Sequence, residues 1–280
     1  MVVTRNSVAI VNAKGGTFKT SIVGNLAVLA QQEGKKVLVI DLDVQAQQSM
    51  QLGYMENEVE PDNGADLANW IINGGPVPIR QDIGGRVGLD LLEGGPLLAT
   101  EKLLPHRNDW STLLLDDRLQ TIKKKYDVIL IDFSPSITSL LTHMGLETAN
   151  IILVPIDGSE MSIDGIDLLE LMLEEETKKG EIKLDGYILT NVPISVFDRE
   201  RKLMSQRVES LGIDYVGSVY RVRESAFSSA KMGKSIGECL PIPKKSKLDF
   251  NDEWRTRKCA IGYERMWENI KTILANKRKG

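Results

Sequence analysis

The chain has 280 residues, 42% of them hydrophobic and 26% charged, and a formal net charge of −4. Those proportions suit an ordinary soluble globular chain of one large or two small domains, and the overall charge does not mark a nucleic-acid binder. No apolar run approaches the ~20 residues of a membrane span, and two cysteines (Cys239, Cys259) with two histidines (His106, His143) make neither a disulfide framework nor a zinc set.

The charge is unevenly spread. Residues 241–280 carry eleven Lys/Arg and five Asp/Glu, a net of +6, which leaves −10 on the remainder. A basic tail on an acidic body is a partner-binding surface or a solvated helix.

In chain order, Val8 to Val11 is a short apolar run that predicts a buried strand, reached too soon for a signal peptide ahead of it. A glycine-containing turn follows, then a helix from Ile22 to Gln32 with Ile22, Leu26 and Leu29 on one stripe. Val37 to Ile40 predicts a second buried strand, ending in Asp41-Leu-Asp43-Val-Gln45. Residues 53–86 are rich in Gly, Pro, Asn and Asp, with a short helix at Ala65–Ile72; Val87 to Leu92 predicts a strand with a turn behind it. Leu113 to Lys125 predicts a helix with Leu115, Leu119 and Ile122 on one side.

Val128 to Ile131 is the most apolar strand, stopping at Asp132, after which Phe133-Ser-Pro-Ser136 turns away. Ile151 to Pro155 predicts another strand and Ser162 to Lys179 a helix, whose run from Glu174 to Lys179 reads as a solvated face. Strands at Gly186–Asn191 and Val216–Tyr220 enclose a helix at Val196–Leu211, and a last helix spans Gly262 to Lys277. Five to seven apolar strands alternating with helices predict an α/β fold: a doubly wound, mostly parallel sheet with helices on both faces. No linker divides the chain, so 1–280 reads as one domain.

The stretch Lys14-Gly15-Gly16-Thr17-Phe18-Lys19-Thr20-Ser21 lies between a strand and a helix. There, backbone N–H groups at the helix start can hold phosphate. Lys19 reaches β- and γ-phosphates as a point charge, and the Thr20 hydroxyl suits a Mg²⁺ position. The ordinary phosphate loop has Gly before its Lys-Ser/Thr; here Phe18 stands there, and a second lysine, Lys14, opens the loop. Asp41, Asp43 and Asp132 close neighbouring strands, the layout for nucleotide–Mg²⁺ binding. Asp132 suits a Mg²⁺ carboxylate acting through water, and Asp43 could orient an attacking water.

Lys14-Gly-Gly-Thr-Phe-Lys19-Thr20, Asp41-Leu-Asp43-Val-Gln45 and Ile131-Asp132-Phe-Ser-Pro135 resemble the deviant Walker A, A′ and B motifs of the ParA/MinD family of P-loop ATPases. Gly34 to Ile40, Ile152 to Pro155 and Ala230 to Ile236 extend the resemblance, which covers about residues 7–275 and follows the short, Soj-like ParA proteins. It implies a P-loop fold, ATP and Mg²⁺ as cofactors, and an ATP-sandwich homodimer in which Lys14 reaches the partner's phosphates. It also implies that Asp43 positions the hydrolytic water, that Asn191 approaches adenine, and that a ParB-like centromere-binding protein stimulates hydrolysis. Two positions depart from the family pattern, Phe18 for its usual Gly and Val44 for its usual Pro. Phe18 puts a side chain where the backbone is free to take φ > 0 in relatives with Gly.

Among activities of that family, DNA segregation in the cytoplasm, on the nucleoid, is favoured by basic residues late in the chain. Arg199, Arg201 and Lys202 fall at one helix start, and Arg221, Arg223, Lys231 and Lys234 follow the last strand. Such residues neutralise duplex phosphates without reading sequence. The alternative is a MinD-like membrane-cycling protein, for which Trp267, Ile270, Ile273 and Leu274 could form an interfacial stripe. A terminal helix packed on the sheet explains that stripe better, so the membrane is not expected as a partner. A cluster-carrying reductase would need paired cysteines that the sequence lacks.

Overall fold

A computed structural model describes residues 6–53, 62–99, 114–136, 139–157, 166–167, 169–170, 183–221, 236, 238 and 250–279. Its centre is an eight-stranded sheet. In chain order the strands are β1 (Ser7–Ile10), β2 (Val37–Leu42), β3 (Ile79–Arg80), β4 (Leu89–Leu92), β5 (Val128–Phe133), β6 (Ile151–Ile156), β7 (Gly186–Val192) and β8 (Asp214–Tyr220). Across the sheet they lie β3-β4-β2-β5-β1-β6-β7-β8. Every pairing is parallel except β3 with β4.

The apolar runs are continuous because both faces are covered. Successive side chains point to opposite faces, and each strand splits accordingly. Ala9, Leu38, Ile40, Ile129, Ile131 and Ile152 enter one core cluster. Val8, Ile10, Val37, Val39, Leu130 and Leu153 enter the other. The first face is covered by α3 (Ala65–Asn73), α4 (Leu114–Leu119), α5 (Leu140–Thr148) and α6 (Phe197–Arg207); the second by α1 (Lys19–Gln32) and α7 (Phe250–Lys279). A short α2 (Gln47–Gln51) follows β2 and packs on α1.

Several elements differ from expectation. The sheet has eight strands, because residues 53–86 contain β3, a two-residue antiparallel edge with no hydrophobic run to announce it. The predicted helix to Lys125 ends at Leu119 and continues as a turn and a 3₁₀ segment at Lys123–Lys125, although Leu115, Leu119 and Ile122 are all buried as expected. The helix predicted at 196–211 is α6 plus a 3₁₀ turn, Glu209–Leu211. Most of the helix predicted at 162–179 lies outside the described residues; 166–167 and 169–170 are helical.

The last helix begins at Phe250, twelve residues before the predicted start. Its stripe is core: Trp267, Ile270 and Leu274 are buried, with Ile273 packed beside them, against the cluster that holds β8 and α1. Gly217 in β8 permits this approach, since a Cβ there would lie 2.7 Å from the Met266 Cβ. Part of the tail's positive charge is neutralised at home. Lys271 bridges Glu33 and Glu268 at 2.8 Å each, and Lys277 meets Asp185 at 2.5 Å. Among the described residues no helix is long and apolar enough to cross a membrane.

Candidate nucleotide-binding site

The loop after β1 is tied down by polar side chains. Asn12 is fully buried; its Nδ2 donates to the Pro155 carbonyl at 2.8 Å, and its Oδ1 accepts from the Lys14 amide at 2.7 Å. The Lys14 carbonyl then accepts from Thr17 Oγ1 at 3.2 Å and from Lys19 Nζ at 3.1 Å, which folds the loop over the start of α1. Gly16 takes φ 75° with open space where a Cβ would be.

Phe18 is the residue immediately before α1, and it takes the left-handed conformation, φ 68° and ψ 17°. A bulky side chain therefore sits in a conformation that favours glycine, at a conformational cost. Its half-buried ring packs on the core cluster beneath α1, which offsets part of that cost.

Three carboxylates cluster at the ends of β2 and β5, and two of them, Asp43 and Asp132, act on Lys19. Asp41 and Asp132 are fully buried and stand opposite each other in the β2–β5 register; Asp43 follows two residues later. Asp41 Oδ1 accepts from the Asp43 amide at 3.0 Å, and Asp43 Oδ1 accepts from the Gln45 amide at 2.9 Å. Burial, then the charge of Asp132, holds the Asp41 carboxyl well above the usual range. Burial pushes Asp132 up to about 7, with Asp43 adding to the rise while Thr20 and Lys19 oppose it. Burial also lowers the Lys19 ammonium, against the pull of Asp132 and Asp43. This is a desolvated cluster whose charges are unsettled without a ligand.

A cavity of about 340 Å³ opens here, bounded by Gly16 to Ser21 on one side and by Asp43, Gln45, Gln47, Phe133 and Pro135 on the other. Its size is in the ~300–1,000 Å³ range of small-molecule sites. The residues fit a magnesium nucleotide by one direct test. Asp132 Oδ2 is buried without a hydrogen-bond partner, a costly state that a hydrated cation would relieve.

The structure thus gathers Gly16, Thr17, Phe18, Lys19, Thr20, Ser21, Asp43 and Asp132. Lys14 is turned away from the cavity, its Nζ 2.6 Å from Asp157 Oδ2. Gly15 packs toward Pro135 and does not line the cavity. Asn191 lies one residue before the end of β7, two strands from β1, at φ 58°, and its Oδ1 accepts from Arg221 Nε at 3.0 Å. Sequence reasoning missed Asp157, Gln45 as a wall of the cavity, and Gln47. Asp157 had a signal, since it closes an apolar strand just as Asp132 does.

The basic residues predicted for DNA gather in part. Arg199, Arg201 and Lys202 are exposed on the first turns of α6, and Arg221 is exposed just beyond β8. Phe197 stacks edge-on against Tyr220 at 5.2 Å, so the α6 start and Arg221 share one corner of the sheet. Arg201 also lies over the Tyr215 ring, 5.3 Å from its centroid. Asp198 and Glu200 interleave with the three basic residues of α6 and dilute their charge. Arg223, Lys231 and Lys234 lie outside the described residues.

A family model described as an AAA domain matches residues 5–185. The chromosome-partitioning ATPase Soj of Treponema pallidum is 31% identical over 243 residues, spanning 83% of this chain and 87% of its own. The chain belongs to the ParA/MinD family of deviant Walker A P-loop ATPases. Two solved structures share the fold of this ParA/MinD-type ATPase. One is a plasmid partition protein of Borrelia burgdorferi bound to AMPPNP, with a TM-score of 0.72 at 18% identity, covering 96% of this chain and 99% of that one. The other is the cell division protein MinD of Aquifex aeolicus, with a TM-score of 0.67 at 17% identity, covering 95% and 97%. In this ParA/MinD-type ATPase the cavity lies outside the carboxyl ends of β1, β2 and β5, the edge at which open α/β sheets bind ligands.

Proposed function

We propose that this ATPase partitions DNA. In this reading 1–280 is one domain. With ATP and Mg²⁺ it forms a homodimer that binds duplex DNA without sequence preference, and a ParB-like partner stimulates hydrolysis and releases it. The Gly15 to Ser21 loop and Lys19 hold the phosphates. Thr20, with Asp132 through water, holds Mg²⁺, and that ion when bound supplies positive charge at the phosphates. Asp43 orients the attacking water, Lys14 reaches the nucleotide of the partner subunit, and Asn191 stands beside adenine. Arg199, Arg201, Lys202, Arg221, Arg223, Lys231 and Lys234 meet DNA phosphates.

The observation that carries most of this is the cavity lined by Lys19 and Asp43, with the Asp132 carboxylate buried behind it and acting on Lys19 electrostatically. Partition is favoured over membrane cycling because the α7 stripe that could enter a membrane is already buried. The test is fluorescence anisotropy on two unrelated duplexes across a salt series, with ATP and with ADP. ATP should be required, and pairing two patches should roughly double the salt slope, since each phosphate contact adds about −0.9 to it. Equal affinity in both nucleotide states refutes the switch; binding to one duplex alone refutes the non-specific mode.

A further inference from the structure

Lys14 and Asp157 leave adjacent strands, β1 and β6, at the same edge of the sheet. Their side chains form an ion pair of 2.6 Å, and both are about four-fifths shielded from solvent. Asn12 fixes the geometry. It pins the Lys14 amide at 2.7 Å and the Pro155 carbonyl, two residues before Asp157, at 2.8 Å. The two backbone segments that carry the pair are therefore tied to one side chain, Asn12.

We propose that Asp157 is a positioning residue for Lys14, holding its ammonium within its own subunit until a phosphate of the partner's nucleotide displaces the carboxylate. This rests on the dimer reading above. The physical argument is one of exchange. An ammonium that crosses to a partner must first leave Asp157, and a carboxylate left behind near a triphosphate repels it. Asp157 thereby sets the threshold for dimer formation and disfavours dimers at subsaturating nucleotide. It bounds neither the cavity nor the carboxylate cluster, so nucleotide binding by the single subunit does not depend on it.

The test compares Asp157→Asn with the parent chain by sedimentation across a protein and ATP series. Each pair is expected to contribute about a threefold factor, as partly exposed pairs do. Two pairs are exchanged per dimer, so the dimer dissociation constant should fall about tenfold. Binding of ATP to the monomer should stay within about twofold, and Asp157→Glu should restore the parent value. Asp157→Ser provides a second variant should Asn impair folding. An unchanged or weaker dimer in both variants overturns the inference while leaving the dimer reading intact. A parent chain that never dimerises with ATP overturns the reading itself, and the inference with it. A direct readout needs no dimer: the Lys14 ammonium resonance of the nucleotide-free protein should shift on Asp157→Asn, and an unmoved resonance overturns the pair.

Discussion

Phe18 offers the sharpest test of the loop's energetics. A non-glycine residue in the left-handed region costs about 1–2 kcal/mol, and Phe18 sits there at φ 68°. Its half-buried ring returns about 1–1.5 kcal/mol, roughly half the value of a fully buried large apolar side chain. Phe18→Ala keeps the strain and loses the ring, so it should destabilise by about 1–1.5 kcal/mol. Phe18→Gly loses the ring too and adds about 0.5–1 kcal/mol of unfolded-state entropy, but it removes the strain. It should therefore lie within about 1 kcal/mol of the parent and exceed Ala by about 0.5–1 kcal/mol. Asn, which tolerates the left-handed region, should fall between them, and Val should be worst. Urea unfolding followed by circular dichroism gives the order directly. An alanine variant as stable as the glycine variant, or more so, refutes the claim that the loop is strained at Phe18.

The carboxylate cluster predicts a pH profile. Folded Asp132 keeps its proton up to about 7, whereas an unfolded Asp releases it near 4. The nucleotide-free protein should therefore lose stability as pH rises from about 4 to about 7, by at most ~4 kcal/mol from this group, with Asp41 adding in the same sense. Asp132→Asn should flatten the profile of urea midpoints; an unaltered slope refutes the assignment. Lys14→Ala should abolish ATP-dependent dimerisation while monomer binding of ATP survives, as sedimentation and nucleotide titration can measure. Asp43→Ala should trap the ATP-bound dimer and reduce turnover at least 100-fold, and unchanged turnover removes Asp43 from the chemistry. Gly217→Ala should cost about 1–3 kcal/mol by driving a methyl into Met266, read as a lowered unfolding midpoint.

The fold was legible where one signal sufficed. Runs such as Val37 to Ile40 and Val128 to Ile131 could only be strands buried on both faces, and their terminal aspartates marked the edge where the site lies. β3 was not legible, because two residues held by cross-strand pairing to Leu91 and Leu92 carry no period of their own. The early start of α7 was hidden because the sequence of its first turns is largely polar; among the described side chains there, Trp254 is exposed while Thr256 and Cys259 are buried. At the site, Lys19 and Asp43 were readable from spacing as residues that line one cavity. The Lys14–Asp157 pair was not, since the two residues are 143 apart in sequence and meet only because β6 lies beside β1. Phe18 stood out as an anomaly, and its backbone angle turned on whether the tertiary structure or local preference prevails.

The position of β1 at the heart of the sheet has a consequence for synthesis. Ser7 pairs with Ile129 and Val8 with Ile151. At about 5–20 residues per second on the ribosome, β1 waits on the order of 10 s for its first neighbour and somewhat longer for its second. Throughout that wait Val8, Ala9 and Ile10 have no sheet to enter. The phosphate loop behind them has no edge to lean on, because the Pro155 carbonyl that anchors Asn12 does not yet exist. Nucleotide can therefore act as a folding ligand only late, after β6 has emerged. A nascent chain stalled before that point would leave at least one edge of β1 unpaired and gain no protection from ATP.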